Sequence, residues 1–160
     1  MYDSANPEGI PRNAEVIAGY MDGIYAWKHA DWGMWPDAEK VIISVGDDVQ
    51  GTLAANVKDV ENGAATAETA VEWVIAKERA GHHGATIYVA RAGLAEVRAV
   101  CRGHSYYVWV ADWTNEPHEV EGTVACQYHN EGSSYDLSLV YSQEWLNAIS
   151  EANRPWPLAS

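Results

Sequence analysis

Ala54-Ala55-Asn56-Val57-Lys58-Asp59-Val60-Glu61-Asn62-Gly63 reads as a strand that ends in acid. Side chains two residues apart on a strand share a face, so Asp59 and Glu61 project together with Val57, while Asn56 and Lys58 project the other way. Two neighbouring carboxylates are what glycosidic bond cleavage requires: one stays protonated to donate to the leaving oxygen, the other stays charged to attack or stabilise the developing cation. The preceding segment from Gly46 to Leu53 is short and turn-rich, so no crossover helix is expected to cover this strand. Lys58 is therefore expected to face water.

Outward from the acidic pair, the chain alternates short β-rich runs with helical segments. Strands are expected at Val16–Tyr20, Val41–Val45, Ala54–Val60, Thr86–Ala90, Tyr106–Ala111, Thr123–Tyr128 and Tyr135–Val140, with Met1-Tyr2-Asp3 as an abbreviated first one. The clearest helix follows the acidic strand. Thr66 is its N-cap, Glu68 lies in its first turn, and Ala67, Val71, Val74 and Ile75 recur at helical spacing. Lys77 and Arg79 occupy its last turn, and Gly81 stops it. Further helices are expected at Leu94–Cys101, His29–Trp35 and Gln143–Ala152. Strands alternating with helices imply parallel βα units, and eight of them imply closure. The expected fold class is α/β, a compact, helix-reduced TIM-like (β/α)8 barrel, because 160 residues fall well short of the roughly 250 of a full eightfold barrel. Residues 1–153 form one domain in this reading. Residues 154–160, with Pro155 and Pro157, are expected to form an extended tail whose Trp156 packs back on the domain.

Composition narrows the partners. A formal charge of −13 argues against nucleic acid and against an anionic membrane, since phosphate binding needs a basic surface. No apolar run approaches a membrane span, and Met1-Tyr2-Asp3 lacks the features of a signal peptide, so synthesis without a secretion signal is expected. No His, Cys or acid set has metal-ligand spacing and no glycine-rich phosphate loop is present, so no cofactor is expected. Eight Trp and nine Tyr beside no Phe suit either sugar stacking or a core with wet margins, because both side chains join a flat apolar face to a polar edge.

The order of motifs adds a resemblance. Tyr2-Asp3-Ser4 opens the first strand and Gly19-Tyr20-Met21-Asp22-Gly23 ends the second. Asp59-Val60-Glu61-Asn62-Gly63 ends the fourth and leads into the helix bearing Trp73-Val74. Ile87-Tyr88-Val89, Tyr107-Val108-Trp109-Val110-Ala111, Gln127-Tyr128 and Tyr135-Asp136-Leu137-Ser138 follow in the fifth to eighth. Over residues 1 to 142 this succession resembles the family-25 glycoside hydrolases, the muramidase-type lysozymes, and especially the short lysozyme-like barrels of actinobacteria and their phages.

The resemblance implies cleavage of the β-1,4 bond after N-acetylmuramic acid in peptidoglycan. It implies Glu61 as general acid and Asp59 as its partner, either assisting through the substrate's N-acetyl group or stabilising the cationic transition state. Asp3 and Asp136 become two flanking carboxylates, and such a cluster is expected to keep Glu61 protonated near neutral pH. Tyr20 and Asp22 at the second strand end, with Tyr88, Trp109, Gln127 and Tyr128, become substrate contacts. Asp22 reads equally as a substitute partner acid or a turn residue, and Trp109 as a sugar platform or a barrel-filling core residue. The fifth-strand Tyr88 is followed by Val89-Ala90-Arg91 where the family often carries an amide. The alternative to an enzyme is a catalytically silent glycan-binding or phage virion module on the same barrel. Either setting, a phage particle or a multidomain lysin, places the protein at the cell wall after release from the cytoplasm.

Other residues read blandly. Trp27, Trp32 and Trp35 pack a short helix; Trp113 and Trp145 are structural. His82-His83 lies in a solvated turn between glycines. Ser133-Ser134 near His129 lacks a nucleophile elbow and an orienting acid. Cys101 and Cys126 fit buried free thiols.

Overall fold

The computed structural model describes residues 1–154, so the expected tail and its Trp156 lie outside the described residues. The strands are β1 (Tyr2–Asp3), β2 (Val16–Tyr20), β3 (Glu39–Ser44), β4 (Val57–Val60), β5 (Thr86–Ala90), β6 (Tyr107–Ala111), β7 (Ala125–Asn130) and β8 (Asp136–Val140). They pair in chain order and close into a barrel. Four α-helices occur among the described residues: α1 (His29–Trp32), α2 (Ala67–Arg79), α3 (Leu94–Val100) and α4 (Gln143–Ala152).

One feature departs from the expected all-parallel repeat. Pairing is parallel from β1 through β7, but β8 runs antiparallel to both β7 and β1. The β7–β8 connection spans Glu131–Tyr135, which permits a hairpin and is too short for the crossover that a parallel strand needs. No α-helix follows β1, β3, β6 or β7, in line with the expected reduction in helices. The α1 helix ends at Trp32, three residues before the expected stop. Where local signals were strong they sufficed: Thr66 Oγ1 accepts from the Thr69 amide at the start of α2, and Gly81 follows its end with φ of 74°.

Alternation divides the buried residues into an inner and two outer sets. Ala18, Val41, Ile43, Val57, Tyr88, Trp109, Ala111 and Ala125 fill the barrel, joined by Trp145 and Ile149 of α4. Trp145 Nε1 donates to Thr86 Oγ1 at 2.8 Å, and Asn153 Nδ2 donates to Lys40 O at 2.7 Å. Thr86 is the first residue of β5, so α4 closes the end of the barrel where the parallel strands begin. The outer faces of β4–β6 pack under α2 and α3, with Val74, Ile87, Val97, Val108 and Val110 buried together. The outer faces of β2 and β3 pack against Trp27, Trp32 and Trp35. Gly19 makes room there, because a Cβ at that position would lie 2.5 Å from the Trp27 ring.

The expectation for Lys58 is overturned. Its side chain is fully buried, since the segment between β3 and β4 folds over the strand in place of a helix. Lys58 Nζ donates to Ser44 Oγ, Gly46 O and Thr52 Oγ1, each at 2.9 Å. Lys77, also buried, donates from α2 to Leu53 O and Ala55 O of the same segment. The two ammonium groups sit 5.6 and 4.8 Å from the Trp73 ring centroid. A segment with few apolar residues is thus held down by two cations bonded to its oxygens. Replacing Lys58 by Met keeps the apolar stem but leaves three oxygens without that donor, and is expected to lower unfolding free energy by about 2–4 kcal/mol in urea titration.

Candidate functional site

The C-terminal ends of β1–β7 define one mouth, and the reversal of β8 brings its first residue, Asp136, to that same mouth. Asp136 pairs in register with Asp3, the last residue of β1. Asp59 is next to last in β4, and Glu61 follows its end. In an eight-strand ring β4 lies opposite β8, so Asp59 and Glu61 face Asp136 and Asp3 across the opening. Their mutual influence agrees with this placement. The nearby Asp136 carboxylate pushes up the acids of both Asp3 and Glu61, and Asp59 adds to the push on Asp3.

The four acids differ in surroundings. Asp3 is 3 % exposed. Burial, then Asp136, holds its carboxyl well above the usual range, against the opposing effect of hydrogen bonding from Gln127. Asp59 is equally buried, and its Oδ1 has no hydrogen-bond partner. Burial, followed by the charges of Glu61 and Asp22, pushes Asp59 up to about 8. Glu61 stands exposed at the rim, and is raised first by partial desolvation and then by Asp136. Asp136 is half-buried and raised by burial, while its bond from Asn130 Nδ2 works in the other direction. The pronounced upward push thus reaches Asp59 as well as Asp3, where the sequence had directed attention to Glu61, because depth in the barrel outweighs separation along the chain.

A fixed amide ties the acids to the barrel floor. Tyr88 OH donates to Gln127 Oε1 at 2.7 Å, which sets the orientation of the amide. Gln127 Nε2 then donates to Asp3 Oδ1 and Oδ2 at 3.1 and 3.0 Å, with Asp136 Oδ2 at 3.4 Å. Tyr88 is kept protonated by burial and by the acids Asp3, Glu61 and Asp59. Beneath it, the Trp109 ring meets Tyr88 edge-on at 4.8 Å, and Trp109 Nε1 donates to Ser138 Oγ at 3.0 Å.

These contacts redistribute the expected roles. Trp109 is 1 % exposed and fills the barrel, so it offers no sugar platform. Gln127 is buried and its amide group is engaged by the acids and Tyr88. Tyr128 lies with the outer cluster under the helices, on the opposite face from Gln127. Asp22 accepts from Ser44 Oγ at 2.7 Å and from the amides of Val45 and Gly46 at 2.8 and 3.3 Å; it pins the end of β2 to the end of β3. Tyr20 is half-buried beside the acids, and its hydroxyl is raised by burial, then by Asp3, Asp59, Glu61 and Asp136. Trp113 is not a packed structural residue: it is 51 % exposed on the loop after β6. Its position two residues beyond a strand end was the available signal.

Among the described residues no group of three or more His, Cys, Asp or Glu could hold a metal ion, and no helix is long and apolar enough to cross a membrane. Cys101 and Cys126 are free and buried. No family model matches the chain, and no curated protein or solved structure matches it.

A buried acid with a raised folded-state value stabilises the fold below its unfolded value of 3.8 and loses that contribution as pH rises towards 8. Asp59→Asn is therefore expected to flatten the fall in Tm between pH 5 and pH 8 and to raise Tm at pH 8, measured by calorimetry across that range. A Tm profile identical to that of the wild type would mean that Asp59 ionises normally.

Proposed function

We propose that the chain is a helix-reduced (β/α)8-type barrel related to the family-25 glycoside hydrolases, and that it hydrolyses peptidoglycan glycan strands at the cell wall. The observation that carries this reading is the meeting of four carboxylates from β1, β4 and β8 at one mouth, with partly desolvated acids on opposite sides. Glu61, at the open rim, is placed to donate a proton to the leaving glycosidic oxygen as the C–O bond breaks. Asp59 lies deeper, and its unpartnered Oδ1 is available to a substrate N–H or, once the acid is ionised, to the positive charge that develops at the anomeric carbon. Water completes the reaction at that carbon and returns a proton to the acid. Asp136, held with Asp3 by Gln127, disfavours early loss of the proton from Glu61.

The same mouth supports a second reading, a glycan-binding or phage virion module that does not cleave. It is favoured by the bonding of Asp3 to Gln127, which makes that acid a polar lining group. Release of reducing ends from purified cell walls separates the two. The wild type is expected to release them, and Glu61→Gln to be slower by roughly 100-fold or more. Equal rates would remove Glu61 from the reaction, and wall binding without release by either protein would favour the silent module. Because Glu61 acts in its protonated form and is held above the usual carboxylate range by partial desolvation and then by Asp136, release is also expected to decline at alkaline pH as that acid ionises. A rate that keeps rising to pH 10 would oppose the assignment.

A further inference from the structure

Three large apolar side chains stand out as exposed among the described residues: Ile24 at 90 %, Tyr25 at 54 % and Trp113 at 51 %. They are not scattered. Ile24 and Tyr25 follow β2, and Trp113 follows β6, so all three belong to loops at the acidic mouth. In the ring of eight strands β2 lies opposite β6, just as β4 lies opposite β8. The apolar rim residues therefore mark one diameter of the mouth and the carboxylates mark the crossing one.

Each rim group is tied to the acid cluster. The Tyr25 ring lies 6.3 Å from that of Tyr20, whose hydroxyl is influenced by all four acids. Gly23, at φ 77°, makes the turn that precedes Ile24, and a Cβ there would lie 2.6 Å from Val45 Cγ2. On the far side, the amide of Asp112, next to Trp113, donates to Gln127 O at 2.9 Å, and the side chain of the same Gln127 holds Asp3 and Asp136. His118 Nε2 lies 3.1 Å from Asp112 Oδ2 and Arg91 Nη1 lies 3.4 Å from it, so the base of the Trp113 loop is braced.

From this crossing we infer that the mouth binds an uncharged glycan chain along the line from Tyr25 to Trp113, with both rings as stacking platforms and the scissile region over the acids. The inference rests on the glycan reading of the same mouth and adds direction, length and charge class to it. Flat apolar faces with polar edges suit sugar rings. Asp59 Oδ1, buried and unpartnered at the mouth, calls for a hydrogen-bond donor from the ligand. A net charge of −13 disfavours an anionic chain. An eight-strand barrel is about 15 Å across, which a disaccharide does not bridge, so occupation of both platforms requires a longer chain.

The test measures binding of the dimer and the pentamer of β-1,4-linked N-acetylglucosamine by calorimetry, in the Glu61→Gln background so that the probes are not consumed. The pentamer is expected to bind roughly 10-fold or more tightly than the dimer, and Tyr25→Ala and Trp113→Ala each to weaken pentamer binding about 3- to 10-fold. Trp113→Phe is expected to restore most of the loss. Circular dichroism checks that the exposed-site variants remain folded. Equal affinity for dimer and pentamer, pentamer affinity unchanged in both alanine variants, or no binding of either probe at millimolar concentration would each overturn the axis. If the wild type cleaves cell walls while any of those holds, the axis fails and the hydrolase reading stands; if the axis results hold without wall cleavage, the hydrolase reading fails and the axis stands.

Discussion

The reversal of β8 is the constraint on which the site depends. A parallel eighth strand would set Asp136 at the closed end of the barrel, among the residues that α4 covers. Running antiparallel, β8 begins at the mouth, and its pairing with β1 places Asp136 beside Asp3. The same short hairpin closes the barrel without an eighth crossover, so a chain of 160 residues can complete a ring that ordinarily takes many more. Economy of length and convergence of the acids have one geometric cause.

Burying like charges opposes folding, and the rest of the barrel is arranged to tolerate it. Two of the four acids are nearly inaccessible, and one carboxylate oxygen lacks any partner. The walls around them are stiff: Trp109 and Tyr88 meet edge-on, Gln127 is oriented by Tyr88, and Trp145 plugs the opposite end. A rigid floor prevents the carboxylates from relaxing apart, so part of the electrostatic cost is met by proton uptake instead. Conserving stability alone would favour amides at Asp59 and Glu61.

Outer helices are replaced by other means of covering strands. Where α2 and α3 are present they bury β4–β6 conventionally. Over the end of β4, where no helix follows β3, two buried lysines bind carbonyl and hydroxyl oxygens of a turn-rich segment around Trp73. Tryptophans perform a similar service around β2, where Trp27 donates through its indole to Ser4 O and packs against Trp32 and Trp35. Among the described residues the tryptophans thus belong largely to packing, with Trp113 as the exposed exception.

Local sequence signals sufficed for elements whose information is local. The period of Ala67 to Ile75, the Thr66 cap and Gly81 define α2, alternation defines most strands, and the i, i+2 spacing of Asp59 and Glu61 puts both on one face. The count of strands together with chain length pointed to a reduced barrel. Depth, direction and environment were not local. Lys58 faces away from the barrel interior as alternation requires, yet it is buried, because the segment between β3 and β4 folds back onto it. Tyr128 is adjacent to Gln127 but faces the other side of the sheet. Asp59 is pushed further than its sequence neighbourhood suggests because the barrel removes water from it. Asp136 reaches the mouth because of the sense of β8, a choice made by strand pairing with β1 more than 130 positions away. Sequence by itself determined which side chains alternate and where helices start; only the closed barrel decided which acids meet, since that depends on contacts between residues far apart in the chain.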